Sequence, residues 1–268
     1  MPYVSVEEGD LYYEVHGEGP AFLFCAGTAT DGEGWKFYQV PEFSRDRRVI
    51  IYDQRGTGQS TVRSKDYSTQ RLAADVAALL RHLDAKKAIV LGHSNGGRVA
   101  QLVAIEYPEL VGKLILASAG GTHSSKGIPL SICLDLMEKG YEGSRREHFI
   151  GAGFTPAYVV ANPEKVERYL QSKLHNLAPV EVYLRQVAAR HDASFQHRLK
   201  EIAVPTLVLA GREEEGAWTG VESHLSFAKK LASDIPGATL RIMEESGHNY
   251  HYTSPEQTNA VIRDFIAR

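Results

Sequence analysis

Ala88-Ile89-Val90-Leu91-Gly92-His93-Ser94-Asn95-Gly96-Gly97 runs from a short apolar segment straight into a turn of small residues. Residues 88–91 read as a strand buried on both faces. Residues 95–106 read as the helix that follows, closed by Pro108. Similar runs recur at Val49-Ile50-Ile51-Tyr52, Lys113-Leu114-Ile115-Leu116 and Thr206-Leu207-Val208-Leu209. Between them a helix starts at Ser68, with Leu72, Val76, Leu79, Leu80 and Leu83 on one face. Strand–helix alternation of this kind predicts a doubly wound α/β fold with a mostly parallel sheet. Tyr3–Glu7 and Leu11–Val15 predict an antiparallel hairpin turning at Gly9-Asp10.

From Gly120 to about Lys200 the strands stop. Helical patterns cover Leu130–Lys139, Pro163–Leu174 and Val180–Arg190, with breaks at Gly140, Gly151, Gly153, Pro156 and Pro179. A crossover needs only about 10–12 residues, so this excess predicts a helical lid. The expected organisation is a core of residues 1–120 and 201–268 with a lid of residues 121–200.

The net charge of −3 and 24% charged residues give no electrostatic footprint for nucleic acid. Arg45, Arg47 and Arg48 are interrupted by Asp46 and read as a solvated turn. No apolar run approaches the ~18 residues of a membrane span. Cys25 and Cys133, each in an apolar stretch, fit buried free thiols of a reducing compartment. With no signal-like start, the expected location is cytoplasmic. The expected partner is a small-molecule substrate, with no nucleic acid, no membrane, and a homodimer allowed.

Strand, Gly92-His93-Ser94-Asn95-Gly96 and helix together form the context of a G-x-S-x-G nucleophile elbow, which raises a serine hydroxyl clear of the sheet beside a helix N-terminus. A serine is inert at neutral pH without a base. Of eleven histidines, His248 stands apart. It follows the strand Thr239–Met243 and precedes a final helix from about Pro255, so its loop falls on the sheet edge that carries the elbow. His248 and His251 at i, i+3 lack a third ligand for a metal, so neither metal nor cofactor is expected. An acid must fix the histidine tautomer. Glu213, Glu214 and Glu215, after the strand at 205–210, offer three carboxylates, with Glu244 and Glu245 next. Trp35 and Trp218 fall in loops at the same edge, where aromatic packing is the default reading.

Over nearly its whole length the chain resembles the α/β-hydrolase superfamily. The resemblance is carried by Gly92–Gly97, Asp53-Gln54-Arg55-Gly56-Thr57-Gly58-Gln59-Ser60, Val204–Gly211 and Ser246-Gly247-His248. It implies an eight-stranded sheet and a Ser94–His248–glutamate triad. The family's spacing points to Glu214, although the distance to Val221-Glu222 leaves Glu215 open. It also implies an oxyanion hole from the backbone N–H groups of Thr28 and Asn95. Ala26-Gly27 stands where the family usually has His-Gly, so that loop needs a different support. The Asp53–Ser60 loop is expected to shape the mouth of the site. The overall pattern is most similar to small hydrolases around 3-oxoadipate enol-lactonase and aminoacrylate hydrolase, implying hydrolysis of an ester, lactone or related acyl substrate. Alternatives on the same fold are a proline iminopeptidase-like enzyme, a carbon–carbon bond hydrolase of meta-cleavage products, and a small-ligand receptor.

Overall fold

The computed structural model describes residues 2–119, 127–190, 195–212 and 224–268. Its strands are β1 (Tyr3–Val6), β2 (Gly9–His16), β3 (Ala21–Cys25), β4 (Arg48–Tyr52), β5 (Thr61–Val62), β6 (Ala88–His93), β7 (Val111–Ala117), β8 (Thr206–Gly211) and β9 (Thr239–Met243). They form one sheet in the order β1-β2-β4-β3-β6-β7-β8-β9, with the two-residue β5 added beside β2. From β4 onward along that order the pairings are parallel, while β1–β2, β2–β4 and β2–β5 are antiparallel. The doubly wound, mostly parallel α/β architecture is therefore as the sequence predicts.

The apolar runs divide by their period of two. Leu23, Ile50, Val90, Leu116 and Val208 face one way. Phe22, Phe24, Ile51, Leu91, Ile115 and Leu209 face the other. A strand inside a parallel sheet is covered on both sides, so both sets must be apolar. The first face is covered by α2 (Thr69–His82), α3 (Asn95–Glu106) and α8 (His224–Asp234). The second is covered by α1 (Gln39–Phe43) and α10 (Pro255–Ala267). Helix α2 begins at Ser68, whose hydroxyl accepts the Arg71 N–H at 3.2 Å. That cap satisfies one of the donors a helix start leaves open.

Two local expectations are corrected. The β1–β2 turn is Glu7-Glu8, not Gly9-Asp10, and Glu8 takes the positive φ of 60°. Gly9 already pairs with Val6 and with Val62. Between β7 and β8 lie α4 (Leu130–Gly153), α5 (Pro156–Ala161), α6 (Pro163–His175) and α7 (Val180–Arg190). The helical stretch from Leu130 stops at Lys139 as the sequence predicts, because Gly140 is non-helical (φ 70°, ψ 171°), but a second stretch continues α4 to Gly153, so Gly151 and Gly153 are helical and not breaks. Among the described residues, no helix is long and apolar enough to cross a membrane.

Arg55 is the largest fully buried side chain. Its Nε and Nη2 donate to the two carboxylate oxygens of Asp75 on α2, both at 2.6 Å. Burial pushes the Asp75 carboxyl up while the Arg55 charge holds it down. Removing one partner leaves the other charged, buried and unpaired. Asp75→Ala is therefore expected to destabilise the protein by about 3–5 kcal/mol in urea unfolding. A loss under 1 kcal/mol would show that the pair is dispensable to the fold.

Candidate active site

β3, β6, β7, β8 and β9 run parallel and end on one edge of the sheet. Ser94 is the turn between β6 and α3. It adopts φ 55° and ψ −121°, outside the regions L-residues favour. The turn closes with Ser94 N–H to the Ala117 carbonyl at 2.9 Å and Gly97 N–H to the Ser94 carbonyl at 3.0 Å. It tolerates only glycine nearby. A Cβ on Gly92 would stand 2.2 Å from the Gly96 carbonyl oxygen, and one on Gly96 would stand 2.4 Å from the Cys25 and Ala26 carbonyl oxygens. The strained, half-buried Ser94 is thus imposed by the chain around it, and such strain concentrates at functional sites.

The loop after β3 lies against this serine. A Cβ on Gly27 would be 3.4 Å from Ser94 Cβ and 3.8 Å from its Oγ. Thr28, the next residue, is half-buried, and Asn95 is the first residue of α3. Among the described residues neither amide donates to a backbone acceptor. The Asn95 N–H lies at the positive end of α3 directly after Ser94, and the Thr28 N–H lies in the loop whose Gly27 packs against Ser94.

The support that replaces the family's usual histidine comes from two glutamines. Gln54 Nε2 donates to the carbonyls of Ala26 (2.7 Å) and Gly27 (3.0 Å). Gln186 Oε1, on α7, accepts the Ala29 N–H at 2.7 Å. The loop is also fixed internally, by Thr30 Oγ1 donating to the Gly27 carbonyl at 3.1 Å. Asp53, beside Gln54, accepts from the Gly32 and Gln59 amides, yet burial pushes its carboxyl up to about 6. The 53–60 loop therefore shapes the site through hydrogen bonds rather than by chemistry of its own.

His248 sits in the loop after β9. Its carbonyl oxygen is 3.0 Å from His93 Nε2 and accepts from Ser118 Oγ at 3.3 Å. Both neighbours adjoin the elbow: His93 precedes Ser94, and Ser118 follows Ala117. The His248 ring packs between His93 and His224, each with centroids 4.7 Å away. Burial pushes the imidazole down to about 4, so at neutral pH it is uncharged and able to accept a proton. No direct hydrogen bond joins its ring to the Ser94 hydroxyl. Such contacts are often long before substrate binds.

Glu213, Glu214, Glu215 and Trp218 lie outside the described residues. Of the reserve carboxylates, Glu244 is exposed and held by Arg212 through two hydrogen bonds of 2.6 and 2.7 Å. Glu245 is exposed as well. Ser118-Ala119, after β7, brings no carboxylate. Trp35 is only 4% exposed and packs on Phe24 and His251, in line with the default reading of aromatic packing. Burial also holds His251 well below the usual histidine range, with the charges of His93, Lys173 and His248 adding to the effect.

Sequence reasoning did not single out Gln186, His93 or Ser118. The available signal was a polar residue inside an apolar stripe: Gln186 continues the α7 face that carries Val182, Tyr183 and Val187.

A protein named "Putative carbamate hydrolase RutD" from Azorhizobium caulinodans is 27% identical over 99% of this chain and 98% of its own. A non-heme chloroperoxidase of Streptomyces lividans is 28% identical over 99% of both chains. Among solved structures, Est816, described as an N-acyl homoserine lactone degrading enzyme, superposes with a TM-score of 0.83 at 28% identity, covering 98% of this chain and 100% of its own. The model of the alpha/beta hydrolase fold family matches residues 20–255, from the strand before the Gly27 loop to the helix after His248, and this chain belongs to that family.

Proposed function

We propose that the protein hydrolyses a small carboxylic ester, lactone or related acyl substrate by nucleophilic catalysis. The observation that carries this reading is Ser94, held at φ 55° in the turn between β6 and α3 with the Gly27 loop packed against it. Ser94 attacks the carbonyl, and His248 takes the hydroxyl proton and returns it to the leaving group. Glu214 orients His248 and stabilises its charged form. The Thr28 and Asn95 amides bind the developing oxyanion. Helices α4–α7, which fall within residues 121–200, act as a lid over the site. The names of the carbamate hydrolase relative and of Est816 support hydrolysis of an acyl compound. A peptidase, a carbon–carbon bond hydrolase and a receptor have no observation here that favours them.

A fluorophosphonate probe should label the folded protein once, and peptide mapping should place the adduct on Ser94. Labelling at another residue, or none on folded protein, would remove the reading.

A further inference from the structure

His248 hangs between two anchors of different origin. Its own carbonyl oxygen meets His93 and Ser118, which stand at the ends of β6 and β7. The next residue is fastened instead to the helices between β7 and β8. The Asn249 N–H donates to the carbonyl of Gly153, the last residue of α4, at 3.1 Å. The Asn249 side chain is 4% exposed and lies against the same residue. A Cβ on Gly153 would stand 2.3 Å from Asn249 Nδ2 and 3.3 Å from its Cγ, so only glycine leaves room for that amide. Gly247, on the other side of His248, rests on this turn as well. A Cβ there would be 3.5 Å from the Gly153 oxygen and 3.5 Å from the Thr155 nitrogen. Both neighbours of His248 in the chain therefore touch the end of α4.

The chain beyond Asn249 is tied to the same helices. The Asn249 carbonyl accepts the N–H groups of Tyr252 and Thr253 at 2.8 and 2.9 Å, which starts α9 (Tyr250–Thr253). Tyr252 then enters the apolar cluster of Phe149, Phe154, Val166, Tyr169 and Leu170, all from between β7 and β8. Its ring centroid is 4.9 Å from that of Tyr169, and its hydroxyl donates to the Lys165 carbonyl at 2.9 Å. Packed interiors do not deform continuously, so a shift of α4 or α6 is passed on to α9 and Asn249 rather than absorbed between them.

We propose that Asn249 is a positioning residue, which sets the pose of His248 according to where the end of α4 lies. The role of His248 as base rests on the serine-hydrolase reading above; the coupling rests on the contacts between Asn249 and Gly153. With α4 and α6 seated, Asn249 holds the imidazole beside the elbow. With them displaced, the imidazole is drawn away and Ser94 loses its base. The helices that cover the site thus also govern how reactive its serine is.

Two glycines of α4 make the test. Gly153→Ala presses a methyl group into the Asn249 amide, while Gly151→Ala, two residues earlier, meets nothing within 4 Å and serves as the control. The substrate is p-nitrophenyl butyrate, and active sites are counted by fluorophosphonate labelling run to completion. Gly153→Ala should lower kcat on the order of 10- to 100-fold and leave KM within about three-fold, the scale expected when a catalytic group is misplaced by about 1 Å. Gly151→Ala should keep the wild-type kcat. Asn249→Ala should lower kcat about ten-fold. The double variant Gly153→Ala/Asn249→Ala should match Asn249→Ala within about three-fold, because the added methyl then meets an emptied space.

A second arm needs no turnover. In nuclear magnetic resonance spectra of protein carrying isotope-labelled histidine, the ring signals of His248 are identified by their loss in His248→Gln. They should move in Gly153→Ala and stay in place in Gly151→Ala. Melting curves identify a variant that fails to fold, and the other single variant then carries the comparison. Unchanged kcat per labelled site in both single variants, or losses that multiply in the double, would overturn the coupling while Ser94-dependent hydrolysis stands. Unmoved His248 signals would overturn it whatever the turnover. A wild-type protein that turns over no ester, but whose His248 signals answer to Gly153→Ala, would overturn the hydrolase reading and leave the coupling.

Discussion

The Ser94→Ala protein should melt as wild type does while its hydrolysis of a p-nitrophenyl ester falls on the order of 10⁶-fold, the scale seen when a serine protease loses its nucleophile. Stability should change little because alanine at φ 55° carries the same backbone strain as serine, and the Ser94 hydroxyl makes no hydrogen bond among the described residues. Some catalysis over water would persist, because the Thr28 and Asn95 amides remain in place. Rates within ten-fold of wild type in a folded mutant would mean that another group attacks the carbonyl.

The second large effect is expected at the acid. Replacing Glu213, Glu214 and Glu215 singly by glutamine keeps the side-chain size but removes the charge that steadies a protonated His248. Glu214→Gln should lower kcat about 10⁴-fold, the scale of the matching amide change in a serine protease. The other two should stay within a few-fold, since a solvated loop charge contributes little. Should Glu215→Gln be the variant that collapses, the extra residue suggested by the spacing to Glu222 is real and the acid shifts by one position. Full activity in all three would return attention to Glu244 and Glu245. The bidentate hold of Arg212 on Glu244, and the exposure of both, argue against either one.

The core of the fold was legible because a central parallel strand leaves a plain trace: four to six consecutive apolar residues, since both faces are covered. The bounds of α3 and the start of α10 follow from the small-residue turn before Asn95 and from Pro108 and Pro255. The hairpin turn was misplaced because Gly9 looks like a turn residue. In fact a side chain there would run into the Thr61 carbonyl, 2.4 Å away, so the glycine answers to a neighbouring strand. The break at Gly140 was legible, but the second helical stretch that carries α4 on to Gly153 was not, because Gly151 and Gly153 read as breakers while Phe149 packs with Tyr169 and Tyr252. Ser94 and the loop of His248 could be read from motif and strand order. The contacts of Gln54 and Gln186 could not, because they run across the fold. The bond between Gln186 and Ala29 spans 157 positions.

That same bond bears on how such an enzyme can be re-engineered. Exchanging the segment between β7 and β8 for that of another hydrolase is the natural way to graft a new substrate range onto this core. Here the graft would also remove the acceptor of the Ala29 N–H, and, on the proposed mechanism, the support of the oxyanion donor beside it. A chimera that kept every core residue would lose turnover along with the old specificity. The remedy is a glutamine at the matching turn of the incoming helix, so in this chain selectivity and rate are not separable modules.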